Sequence, residues 1–128
     1  MKLTEKRIDE GLFRCRSVLP ILARVGDKWT VLVIVALRNG PCRFNELKRN
    51  VQGVSQQMLT RTLKALERDG MVVRTTISTS PPQVKYELSS LGKSLSTPVF
   101  TLGKWVEENL LDIDRAQREY DGNAKSRL

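Results

Sequence analysis

Between Ser55 and Asp69 the side chains that could do chemistry are amides, hydroxyls and cations: Gln56, Gln57, Thr60, Arg61, Lys64 and Arg68. At ~100° per residue, Gln57, Thr60, Arg61, Lys64 and Arg68 gather on one side of a helix, and Leu59, Leu63 and Leu66 take the other. Gln can hold adenine through two hydrogen bonds, Arg can do the same for guanine, and Lys acts mainly as a point charge against phosphate. The chemistry this pattern predicts is the reading of base edges. Ser55 is placed to cap the helix, and the free N–H groups of its first turn make a seat for a phosphate. The alternative for such a face is an ordinary solvated surface.

Other chemistries are poorly supplied. The chain has 128 residues, no His and two Cys. A Ser-His-Asp or Cys-His pair is therefore impossible, and two Cys cannot complete a closed Cys/His zinc site. We expect neither an enzyme nor a metal or cofactor. Cys15 lies between Arg14 and Arg16, whose charge favours the thiolate of an exposed thiol; it reads either as a reactive, redox-sensing cysteine or as a small buried hydrophobe. Cys42 reads as a packing or surface residue.

Charge agrees with a polyanionic partner. The net charge is +8, and it is uneven: residues 1–106 carry +10 and residues 107–128 carry −2. A basic body is drawn to a nucleic acid duplex through counterion release. Lys2, Glu5, Lys6, Arg7, Asp9 and Glu10 interrupt any apolar export signal, and the longest strongly apolar run, Trp29 to Leu37, falls well short of the ~20 residues that cross a bilayer. The expectation is a cytoplasmic protein without a membrane partner.

The elements that must position these residues can be traced from turn signals at Pro20, Gly26, Gly40-Pro41, Gly53, Gly70, Pro81-Pro82 and Gly122. Asp27 should cap a helix whose inward residues are Trp29, Leu32, Val33, Ala36 and Leu37, ended by Gly40. A short helix follows over 43–50, with Phe44, Leu47 and then Val51 inward, and Gly53 breaks it before Ser55 begins the next. After Gly70 the period changes to two. Val73, Thr75 and Ile77 form the face of one strand, and Val84, Tyr86 and Leu88 that of another, predicting a hairpin around Thr79-Ser80-Pro81-Pro82.

From Ser90 onward Leu95, Val99, Leu102, Val106, Leu110, Ile113, Ala116 and Tyr120 recur every three or four residues. One small domain cannot cover so long a seam, so we expect a two-fold dimer interface, with Pro98 kinking or dividing the helical region.

Helix, helix, turn, helix and hairpin is the plan of a winged helix-turn-helix: mainly α with a small β-hairpin. In that plan Lys28, Arg43, Arg74 and Lys85 are candidates for phosphate contacts, and Gln83 for a contact from the wing. Base contacts fall to Gln56, Gln57, Thr60, Arg61 and Lys64, with Ser55 at the phosphate seat.

The chain resembles the HxlR-type winged helix-turn-helix regulators, relatives of the MarR group. The resemblance rests on Cys15, Gly26-Asp27-Lys28-Trp29, Gly40-Pro41, Arg43-Phe44-Asn45-Glu46-Leu47, Gly53-Val54-Ser55-Gln56-Gln57-Met58-Leu59-Thr60, Leu66-Glu67-Arg68-Asp69-Gly70-Met71-Val72, Pro82-Gln83-Val84-Lys85-Tyr86, Leu88 and Leu91-Gly92. It implies a sequence-specific transcriptional regulator, a repressor or dual regulator, that is a homodimer joined by dimerising N- and C-terminal helices and addresses an inverted repeat in double-stranded DNA. It further implies a response to oxidants or electrophiles through Cys15. The chain departs from the family's pattern at Arg16, Asp27 and Gln83. The organisation expected is a single domain: a DNA-binding core over 15–92, dimerisation helices over 1–25 and 93–122, and a tail over 123–128. The competing reading is a winged helix that binds protein and not specific DNA. Operator, regulated genes and any small-molecule inducer are outside the reach of sequence.

Overall fold

A computed structural model describes residues 15–126, with side chains described over 16–124. The expected dimerisation segment before residue 15 and the side chain of Cys15 lie outside the described part. The elements run α1 (Cys15–Val25), α2 (Lys28–Leu37), β1 (Cys42–Arg43), α3 (Phe44–Asn50), α4 (Gln56–Arg68), β2 (Val72–Ile77), β3 (Gln83–Leu88) and α5 (Ser90–Ser126).

Caps start the helices as their sequence dictates. The Asp27 carboxylate accepts from the Trp29 N–H at 3.0 Å and the Thr30 N–H at 3.3 Å, satisfying orphan donors of α2. Glu46 accepts the Arg43 N–H at 3.0 Å ahead of α3. The Ser55 hydroxyl accepts from Met58 N–H at 3.0 Å and opens α4. Between α3 and α4, Gly53 turns the chain at φ +87°, a conformation L side chains rarely adopt.

The core forms where α2, α3 and α4 converge. Val33, Ile34, Leu37, Leu47, Val51, Leu59, Leu63 and Leu66 are buried, and Phe44 packs at their margin. The inward face of α2 differs from expectation: Thr30, Val33, Ile34 and Leu37 are buried, whereas Leu32 turns outward and Trp29 is half-buried. From Val31 to Leu37 the helix is apolar all round and carries no internal signal of which side faces in; its neighbours decide.

The hairpin is present, but within a three-stranded antiparallel sheet of order β1-β3-β2. The two-residue strand β1 pairs Cys42 with Tyr86 and Arg43 with Lys85. The inward face of β2 is also shifted by one from expectation. Val72 pairs with Leu88, Arg74 with Tyr86 and Thr76 with Val84, and directly paired residues share a face. Val72 and Leu88 are buried while Val73 is exposed. Thr75 and Ile77 therefore share the outer side with Lys85 and Gln83.

Pro98 does not divide the C-terminal region: α5 is one helix of 37 residues with Pro98 inside it. Pro20 likewise lies within α1, and Gly122 within α5. A lone proline removes one hydrogen bond, which the flanking turns survive. The seam on α5 is not all of one kind. Val99, expected at an interface between copies, is already 7% exposed within this chain, and Leu95 packs against the same core. Beyond them Leu102, Val106, Leu110 and Tyr120 are exposed and Ile113 is half-buried. Ion pairs from Arg115 to Asp112 and from Arg118 to Asp114 run along the surface of this distal part. No helix among the described residues is long and apolar enough to cross a membrane.

Candidate nucleic-acid interface

The polar face of α4 is open. Leu59, Thr62, Leu63 and Leu66 bury one side of the helix, which leaves Gln56, Gln57, Arg61, Lys64 and Arg68 exposed on the other. Gln56, Gln57, Thr60, Arg61 and Lys64 together line one shallow depression on that side. Donors and acceptors of the amides stand at the helix start, where the macrodipole is positive, and two cations follow within two turns. This is the arrangement expected from the sequence, and it can offer hydrogen bonds and positive charge to a single polyanionic surface.

The sheet places the remaining cations on its two faces. Arg43 and Lys85 pair across β1 and β3, and with Pro41, Asn45, Glu46 and Arg49 they line a second polar cleft. Asn45 and Arg49 were not anticipated; their i, i+4 spacing on α3, on the same side as Arg43, was the available signal. On the opposite face Arg74 and Tyr86 pair across β2 and β3 and line a cleft with Thr60, Leu63, Lys64 and Glu67 of α4. The sequence places Tyr86 only on one face of a strand, with Val84 and Leu88. Its place beside α4 depends on the strand register, for which no local signal exists. Glu67 brings a carboxylate into this cleft, which the Lys64 and Arg74 cations also line.

Lys28 begins α2, and its ammonium lies 4.5 Å from the centre of the Trp29 ring. That ring also packs against the Gly53 turn, so Lys28 stands near the start of α4 and not in either cleft lined by the sheet. Gln83 is half-buried at the start of β3, paired with Ile77, and the loop before it is tied by the Thr79 hydroxyl donating to the Pro81 carbonyl at 2.7 Å.

Cys42 is half-buried, with Sγ 3.7 Å from the Gly40 carbonyl and 3.9 Å from that of Ala36. Burial pushes its thiol pKa above the ordinary cysteine value, and the nearby Glu46 carboxylate pushes the same way. Cys42 is thus a packing residue with a suppressed thiolate.

A family model described as HxlR-like helix-turn-helix matches residues 24–114. The uncharacterized HTH-type transcriptional regulator YtfH of Escherichia coli is 43% identical over 93 residues, 73% of this chain and 74% of that one. Among solved structures, the transcriptional regulator ytfH from Salmonella typhimurium aligns at a TM-score of 0.71 with 44% identity, over 78% of this chain and 88% of that chain. The redox regulator HypR in its reduced form also aligns at 0.71, with 34% identity, over 77% and 97% of the two chains.

Proposed function

The chain belongs to the HxlR-like helix-turn-helix family of transcriptional regulators, and from that premise we propose that it is a homodimer whose two α4 helices read an inverted repeat in double-stranded DNA. One observation carries the reading: the exposed, cationic and amide-bearing face of α4, with Gln56, Gln57, Thr60, Arg61 and Lys64 around one open depression. In the proposed complex this face enters the major groove. Ser55 and the first-turn amides seat a phosphate, Arg43, Arg49 and Lys85 meet the backbone on one side, and Arg74 and Tyr86 meet it on the other. Lys28 and Gln83 supply flanking contacts. Phosphate contacts set register, while base contacts carry sequence information.

Dimerisation is supported by apolar surface that this chain leaves uncovered. Leu102 is 57% exposed, Val106 and Leu110 stand on the same stripe of α5, and Leu19, Ile21 and Leu22 are exposed on α1. In a two-fold dimer these stripes bury one another, and the two reading helices address half-sites one helical turn, ~34 Å, apart.

A redox response is a second part of the proposal, resting on Cys15 at the start of α1, its neighbours Arg14 and Arg16, and the likeness to HypR, a redox regulator. Oxidation or alkylation of Cys15 would turn the N-terminal segment against the partner subunit and change the separation of the reading helices. A Cys15→Ser variant that responds to oxidant as the parent does would place the switch elsewhere.

The proposal is tested by in vitro selection from random duplexes, followed by binding measurements from low to moderate salt. A recovered inverted repeat, bound with an affinity that falls steeply with salt, is expected. Recovery of no preferred sequence, with weak binding indifferent to salt, would favour a protein-interaction module instead.

A further inference from the structure

Three consecutive residues at the exit of α4 hold both flanking helices. Asp69 is the C-cap of α4, its N–H donating to the Ala65 carbonyl. A carboxylate at this end of a helix faces the negative pole of the macrodipole, so it does not serve the stability of α4 itself. Across 45 residues of chain, the Arg24 guanidinium near the end of α1 grips it, one nitrogen reaching the two oxygens at 2.6 Å and 2.5 Å. The side chains are 30% and 10% exposed, so solvent reaches one partner and little of the other. The next residue, Gly70, accepts the Ser89 hydroxyl through its carbonyl at 2.5 Å. Met71 then accepts the Ser89 N–H at 3.0 Å, and the same hydroxyl takes the Gly92 N–H at 3.1 Å at the start of α5.

From this joint we propose that Arg24, Asp69 and Ser89 are positioning residues: they lock α4 to α1 and α5 and thereby fix the separation of the two reading helices in the dimer. The inference rests on the DNA-binding, dimeric reading above. The geometry gives it leverage. With 13 residues, α4 is about 20 Å long, and its reading end, at Gln56 and Gln57, is the end far from the joint. A tilt of about 10° at Asp69 would move that end by ~3.4 Å, one base-pair step along the duplex. The same three side chains are absent from the outer depression of α4, so removing them leaves its base-reading face intact.

The test uses the full chain and the inverted repeat recovered by selection. Affinities are measured for a single half-site duplex and for full sites whose half-sites are respaced by one or two base pairs either way. Asp69→Asn and Arg24→Gln are expected to bind the single half-site within about twofold of the parent while their preference for the selected spacing falls about tenfold. Arg24→Lys should restore part of that preference, and Ser89→Ala should lower it in a chain that keeps the ion pair. Thermal melting and circular dichroism identify any variant that has failed to fold, and Ser89→Ala then decides. A spacing preference unchanged in the folded variants overturns the inference, as does an equal loss of half-site and full-site affinity. A parent that selects no inverted repeat overturns the DNA-binding reading itself, a separable outcome.

Discussion

Arg74 and Tyr86 stand directly opposite one another in the hairpin, and both line the cleft beneath the polar flank of α4. Arg74 therefore points to the same region as Lys64, whereas Arg43 and Lys85 occupy the other side of the sheet. We predict that Arg74→Ala and Arg49→Ala each weaken binding to all duplexes alike and lower the salt dependence by about one phosphate. A salt titration of each variant checks this; loss confined to one sequence would contradict it.

Arg61 and Gln57 carry a different expectation. Their side chains lie in the open depression of α4. Arg61→Ala and Gln57→Ala should each cost ~1 to 3 kcal/mol on the selected site and relax its sequence preference, with little change on random duplex. Competition binding against single-base variants of the site is the measurement. Equal affinity of Arg61→Ala and the parent would remove Arg61 from the reading face.

Gly92 packs against the backbone of Met71 so closely that a Cβ at position 92 would overlap the Met71 carbonyl oxygen, and Leu88 closes the site from the side. Backbone cannot yield as a flexible side chain does. Gly92→Ala should destabilise the fold by about 3 kcal/mol or more, the upper part of the range for overpacking, read as a lowered midpoint in urea. Gly103→Ala on the same helix has nothing within 4 Å to meet and should be neutral or stabilising.

Val106 and Leu110 are exposed on the distal part of α5. Val106→Glu or Leu110→Glu should leave the protomer folded and shift the proposed dimer to monomer, seen by sedimentation velocity with the circular dichroism unchanged. An unaltered sedimentation coefficient would move the interface off this stripe.

Cys42 should be a slow nucleophile near neutral pH. Its pKa is raised above that of an ordinary thiol, first by burial and second by Glu46, so its thiolate fraction at pH 7 is the lower of the two. In a Cys15→Ser background, alkylation should accelerate with pH and reach its half-maximal rate at a higher pH than an exposed thiol without charged neighbours does. Glu46→Gln removes a negative charge and should shift that profile to lower pH. A profile centred near neutrality would contradict the buried setting.

Much of the molecule was legible locally. The period of Leu59, Leu63 and Leu66 against Gln57, Arg61 and Lys64 determined both the existence of α4 and which side would be left to solvent. Asp27 and Ser55 marked helix starts because their oxygens satisfy amides only two or three residues away, and Gly53 and Gly70 marked turns because they sit at positive φ. These are interactions within one turn of chain, so composition and spacing alone specify them.

Contacts between distant segments were settled only in the folded chain. Val72 and Val73 are both apolar, and alternation cannot say which faces in; the pairing of Val72 with Leu88 decides it and carries Arg74 and Tyr86 to the α4 side. Cys42 and Arg43 become a strand only because β3 offers them an edge. Along the one seam of α5, Val99 is buried and Leu102 exposed because the core ends between them while the helix continues. The joint of Arg24, Asp69 and Ser89 belongs to the same class. A sequence determines each residue's local preference; the partner 45 positions away is chosen by the burial of the core, which sets all the elements at once.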